Sequence, residues 1–258
     1  MSGLDLPLAG PDDLIVAFSI WQLAAIGAAG FLGATLAAVT GFGGAAVLLP
    51  VLVATVGPRL AVPVLTVAQL IGNGSRVWFN RGEVSWPVVG WFALGGVPLA
   101  VAGGLLFANA PLHALTRLIG GFLIAIVLWR RLRPLPAWRP TLRSFAGIGA
   151  ASSLLSALVG SVGPLMAPLF LAYGLVKGAY IGTEASATVV MHLAKLAAYR
   201  QAAVLPDRAI LAGVALGPVM IAGSWAGKRI VDRMPAQVFV TVIEVTMVGA
   251  GLLFLLRG

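Results

Sequence analysis

Of the 258 residues, 60% are hydrophobic and 10% charged, whereas soluble domains carry roughly a quarter charged residues, so a water-soluble globular protein is excluded. The mean hydropathy of +1.01, together with apolar runs of roughly 20 residues that each cross ~30 Å of hydrocarbon as a helix, predicts an all-α polytopic membrane protein. The formal net charge of +9 lies in the loops between runs, which reflects topology rather than a nucleic-acid face; with no cysteine there are no disulfides, thiolate ligands or thiol nucleophiles.

Residues 1–13 contain Asp5, Asp12 and Asp13, no Lys or Arg, and Pro7 and Pro11. Lacking the basic flank of a signal peptide, they read as an extramembrane tail. The first apolar run, Leu14 to Val39, stops at Thr40-Gly41-Phe42-Gly43-Gly44. Ala45 to Val56 follows, rising only about 18 Å as a helix, too short to cross alone and therefore a half-helix. Leu60 to Asn80, Trp86 to Phe107 and Leu112 to Arg131 complete a first repeat over 14–131.

A basic, Pro-rich connector occupies 132–142, with Arg133, Arg139, Pro134, Pro136 and Pro140. Beyond it, 143–258 repeats the pattern as Phe145 to Val159, the break Gly160-Ser161-Val162-Gly163-Pro164, Leu165 to Tyr173, Ala179 to Arg200, Ala209 to Lys228 and Pro235 to Leu256. If every segment crosses, five per half is an odd number and the two repeats are inverted, each with a discontinuous helix at a Gly-rich break.

In that arrangement Arg81, Arg130, Arg131, Arg133, Arg139, Arg143, Lys177, Lys228, Arg229 and Arg233 share the connector's side, ten against the five at Arg59, Arg117, Arg200, Arg208 and Arg257. Re-entrant short segments change the split to nine against six. The positive-inside rule favours five crossings per half, with the connector on the cytoplasmic side and the Lys- and Arg-free N-terminus outside. Trp21, Trp78, Trp86, Trp91 and Trp129 fall mostly near segment ends and read as interfacial anchors.

Gly41-Phe42-Gly43-Gly44 with Pro50, an Ala-rich span ending in Asn73-Gly74-Ser75-Arg76, and a Gly82-Glu83-Val84 turn resemble the sulfite exporter TauE/SafE family, also called the toluene sulfonate uptake permeases. Gly182-Thr183 stands where that family tends to carry a Gly-Thr after its second half-helix. The resemblance covers nearly the whole chain and implies a bacterial inner-membrane carrier for small sulfur-containing or other organic anions, in either direction. The second break departs from the family pattern in lacking the fuller glycine cluster.

The physics of the breaks agrees. A helix N-terminus presents unpaired N–H groups and about half a positive charge, and amides left open at membrane depth must face a cavity or ligand. The amides after Gly43 and Gly163 are therefore the expected anion ligands, with Gly41, Phe42, Gly44, Gly160 and Ser161 around them; the competing role for these glycines is close helix packing. Ionisable side chains within the runs are few and costly, at ~2.5–3.5 kcal/mol each.

Arg76 and Lys195, four and five residues before the ends of their runs, are expected to flank the anion's route from opposite faces or to snorkel to the interface. Asn73 and Ser75 accompany Arg76, and Asn73 can instead bridge helices. His192, three residues before Lys195, is a candidate proton carrier or interhelical donor. Thr183 offers a hydroxyl to an anion oxygen or to its own backbone. Glu184 is expected to sit at the start of its helix, favouring the dipole or coupling transport, and Glu244, midway along the last run, is a further coupling candidate or an interhelical hydrogen-bond partner.

The expected partners are a small anion and the lipid bilayer, with protons or sodium as coupling ion and self-association into a homo-oligomer left open. No cofactor or metal is expected. An anion channel using the same half-helix site is the nearest alternative. For an intramembrane enzyme, Ser161 and His192 form the one candidate pair, without a Gly-x-Ser-x-Gly elbow. A structural partner subunit is the remaining reading.

Overall fold

The computed structural model describes residues 19–109, 139–159, 162–239 and 241–242. Residues 1–13, the start of the first run, the Leu112 to Arg131 segment, most of the 132–142 connector, Gly160, Ser161 and most of the last run, Glu244 included, lie outside the described residues. Every regular element within them is an α-helix, as expected of a polytopic membrane protein.

Helix α1, Ile20–Thr40, opens on a capping box, in which Ser19 Oγ accepts from the Gln22 N–H at 3.3 Å and Gln22 Oε1 accepts from the Ser19 N–H at 2.9 Å. It ends where Gly41 turns left-handed at φ 82°. The half-helix α2, Gly44–Val56, and α3, Pro58–Phe79, follow, then α4, Trp86–Asn109. Beyond the connector come α5, Ser144–Val159, the second half-helix α6, Gly163–Ala172, and α7, Lys177–Gln201.

The expected single run from Ala209 to Lys228 is corrected to two helices, α8, Asp207–Ala215, and α9, Gly217–Arg233, bent by 41°. Pro218 has no N–H for the carbonyl four residues earlier, so the ladder opens at Leu216. The corresponding Pro98 lies inside α4 without dividing it.

Two pairings link the halves. Helix α4 packs along α5, and α9 packs along α1. Backbones approach closely at both contacts: a Cβ on Gly103 would lie 2.8 Å from Ala157 Cβ, and one on Gly223 2.5 Å from the Phe31 carbonyl oxygen. At the centre α3 packs against α7, while α4 also touches α7 and both α8 and α9 touch α3.

Helices α1 and α4 are each long and apolar enough to cross a membrane alone, whereas α3 and α7 are as long but carry the polar residues. They can do so because they face protein. Most of α7 from Tyr180 to Lys195 is buried. Apolar packing surrounds this pair on both sides, with edge-to-face rings of Phe145, Phe170, Tyr180 and Phe239 on one and Leu48, Leu52, Val64 and Leu65 on the other.

Trp21, Trp78 and Trp86 are exposed, as interfacial anchors are, and Arg81 stacks over Trp78 at 4.5 Å. Trp91 instead packs in part against the core.

Candidate functional site

The first break places two helix ends back to back. Ala37 and Gly41, at the C-terminal end of α1, present carbonyl oxygens, and Arg76 Nη1 donates to both, at 2.8 and 3.3 Å. A guanidinium therefore meets the negative end of α1. The α2 end is open: its N-cap is Gly43, at φ 92°, and no side chain caps the exposed amides. Tyr180 fixes the turn from α7, its hydroxyl donating to the Thr40 carbonyl at 2.9 Å, and Thr40 Oγ1 donates to the Phe42 carbonyl at 2.8 Å.

The second break lies against the first, with Gly163 in contact range of Phe42. Helix α6 also starts without a side-chain cap. Here the expectation for the amides after Gly163 is corrected, because Pro164 has no N–H and the Leu165 N–H donates to the Val162 carbonyl at 2.9 Å. The two half-helix ends are thus unequal, and the first carries more free donors.

Both breaks line one cavity of about 40 Å³, closed by Asn73 and Arg76 of α3, Ser156 of α5, and Glu184, Thr188 and His192 of α7. Roughly 10–15 Å³ suffices for one water, so the space has room for a small polyatomic ion. Gly41, Phe42, Gly43, Gly44, Asn73, Arg76, Gly163, His192 and Glu184 are brought together at its wall.

Arg76 is 6% and Glu184 4% exposed, and Nη1 lies 3.3 Å from Glu184 Oε2. Asn73 Oδ1 accepts from Arg76 Nη2, and Thr188 Oγ1 donates to Glu184 Oε1 at 2.9 Å. Snorkelling is ruled out for Arg76 by this burial. The position expected for Glu184 is also corrected: α7 begins at Lys177, two turns earlier, so Glu184 lies in the helix body as the partner of Arg76. The helix start has a different carboxylate near it, since Glu83 reaches the backbone at Gly178.

His192 is 2% exposed, and neither ring nitrogen has a hydrogen-bond partner among the described residues. The interhelical donor role is thereby corrected, because the ring faces a cavity rather than a neighbouring acceptor. Lys195, at 0% exposure, neither snorkels nor lines the cavity; its Nζ donates to the carbonyl and hydroxyl oxygens of Ser156 at 3.2 and 3.3 Å, so it stands one side chain behind the wall.

Two hydroxyls are engaged elsewhere. Ser75 Oγ donates to the Gly72 carbonyl at 2.8 Å within its own helix. Thr183 Oγ1 accepts from the Ser85 N–H at 2.9 Å, holding the start of α4. Thr183→Val is expected to destabilise the protein by about 1–3 kcal/mol through that orphaned amide, read as a lower melting temperature, with anion affinity unchanged. Among the described residues no group of His, Cys, Asp or Glu side chains could hold a metal ion.

Ser156 and Thr188 escaped the sequence reading, and so did the Arg76–Glu184 pairing across 108 residues. The signal for Ser156 and Thr188 was present only as hydroxyls within otherwise apolar runs.

No curated protein and no solved structure matches the chain. The family model described as "Sulfite exporter TauE/SafE" matches residues 26–254, a span that includes both breaks, α3, α7 and the Arg76–Glu184 pair. The chain belongs to the sulfite exporter TauE/SafE family of membrane transporters.

Proposed function

We propose that this protein carries a small sulfur oxyanion or sulfonate across the bacterial inner membrane by alternating access of two inverted repeats, 14–131 and 143–258. The observation that carries the reading is the convergence of both half-helix N-termini, neither capped by a side chain, on one small cavity that also holds Arg76 and His192, whose ring nitrogens have no partner among the described residues. Donors without acceptors, next to a fixed cation, form a site for an anion. The small cavity favours sulfite or a short sulfonate over a larger organic anion.

The inverted repeat is supported by the packing. The fourth segment of each half lies along the first helix of the other, as α4 on α5 and α9 on α1, which is the relation a two-fold axis generates. The axis would pass between α3 and α7, beside the cavity. The distribution of Lys and Arg supports an orientation with the connector cytoplasmic and the N-terminus outside, which in a bacterial inner membrane is periplasmic. Export of an anion runs with an inside-negative potential, at ~2.3 kcal/mol per charge per 100 mV.

Counterflow tests the carrier mechanism. Proteoliposomes preloaded with unlabelled sulfite are expected to accumulate external radiolabelled sulfite transiently above its equilibrium level. Flux that neither saturates nor overshoots, accompanied by single-channel currents, would replace the carrier with an anion channel built on the same half-helices.

A further inference from the structure

We propose that Glu184 is a proton site linked to occupancy of the cavity: when an anion engages Arg76, the Glu184 carboxylate binds one proton, and it releases that proton when the anion leaves. The inference rests on the anion-site reading. It arises because Arg76 is the only cation at the cavity wall among the described residues, and Glu184 already uses it. An anion drawn to the amides of α2 and to His192 competes with Glu184 for the same guanidinium. Two negative charges then share one cation in a buried space, and a carboxylate stripped of its counter-ion there is relieved by protonation.

The surroundings leave few other groups to take that proton. Helices α1, α2, α4, α5 and α6 contain no Asp, Glu, His, Lys or Arg. From α3 Glu184 faces Arg76; along α7 the other titratable groups are Tyr180, committed to the Thr40 carbonyl, His192 at the cavity wall, Lys195 behind it, Tyr199, whose hydroxyl donates to the Ala157 carbonyl, and Lys177 and Arg200 at the two helix ends. The charged residues of α8 and α9 fall on Asp207 and Arg208 and on Lys228 to Arg233; of these, Arg200 of α7 pairs with Asp207, and Lys228 pairs with Asp232 and approaches Glu83 at 3.8 Å. Glu184 is therefore the carboxylate whose pairing an incoming anion disturbs. The step is a plain binding equilibrium, in which a proton from solution joins Oε2 as Arg76 turns to the anion, and no covalent bond of the protein breaks.

Methanesulfonate and sulfate are suitable probes because their own charges do not change between pH 5.5 and 8.5, roughly the range in which membrane proteins are handled, whereas sulfite titrates within it. Calorimetric binding to purified wild-type protein is expected to tighten about tenfold per pH unit as pH falls, the slope of one proton taken up per anion. Glu184→Gln, which carries no titratable proton, is expected to bind with an affinity that is flat across the range. His192→Asn is expected to bind more weakly with the slope retained. Independently of any variant, adding saturating methanesulfonate to weakly buffered wild-type protein should take up about one proton per site, read with a pH indicator.

Affinity independent of pH in the wild type, no proton uptake, or a slope surviving in Glu184→Gln each overturns the proton site while leaving the anion site standing. Failure of both probes to bind at any pH overturns the anion site and this inference together.

Discussion

Arg76→Ala is expected to abolish sulfite flux, by at least about 100-fold, and to lower stability by about 3–5 kcal/mol, the cost of removing one partner from a buried ion pair. Both effects come from one guanidinium that serves four acceptors: the Ala37 and Gly41 carbonyls, Asn73 Oδ1 and Glu184 Oε2. Without it the end of α1 loses its cation and the Glu184 carboxylate is left alone in the core.

The two effects separate in Arg76→Ala/Glu184→Gln. Neutralising the stranded carboxylate should recover much of the melting temperature and none of the flux. Wild-type flux from that double variant, measured in proteoliposomes, would remove Arg76 from the anion site. Arg76→Lys should fall between, because one ammonium cannot reproduce a planar fork spread over backbone and side-chain oxygens.

The second large effect is expected at Gly41→Ala. Gly41 sits at φ 82°, and a Cβ there would lie 2.5 Å from Tyr180 Cζ and closer still to its hydroxyl. Tyr180 cannot swing away, since it is fully buried between Phe170 and Phe239 and holds the Thr40 carbonyl. Gly174→Ala is the control, at φ 104° with nothing within 4 Å of the added methyl. It should cost only backbone strain, about 1–3 kcal/mol, and keep transport. Gly41→Ala should destabilise well beyond that range and lose ligand-induced stabilisation, because the open amides of α2 move with the break. Equal melting temperatures for the two variants would show that Tyr180 does not hold the turn.

How much of this was legible in the sequence depends on whether the constraint was local. Lipid requires long apolar helices with satisfied backbones, so the C-terminal end of α1 and both ends of α2 to α7 follow closely from the runs, the glycine clusters and the prolines, whereas α1 opens at Ile20 on its Ser19 cap and not at Leu14. Gly41 and Gly43 announce a break by themselves. The divided α8 and α9 were missed because Pro98 and Pro218 look alike in sequence, and only the surroundings decide which one opens its helix.

The site was legible in its backbone and less so in its side chains. Asn73, Arg76 and His192 stand out as polar residues in apolar runs, and all three reach the cavity. Thr183 stands out equally and holds the start of α4 instead. Glu184 was read as a helix-start residue although the run opens at Ala179, within two residues of the observed start at Lys177; five residues in, its carboxylate is already past the first turn in which the helix dipole acts. Its partnership with Arg76 depends on α3 meeting α7, which no local pattern encodes.

The pairing of α3 with α7 also bears on how the chain is made. Arg76 emerges from the ribosome 108 residues before Glu184, and the intervening segments must enter the bilayer while that arginine has no carboxylate to meet. Arg76 lies in the last turn of α3, so its cost during insertion is below the roughly 2.5–3.5 kcal/mol of a helix centre, but it stays unneutralised until Glu184 arrives. The first half should therefore be held at the insertion machinery, or be degraded when expressed alone, and become stable in the membrane when the second half is supplied as a separate polypeptide.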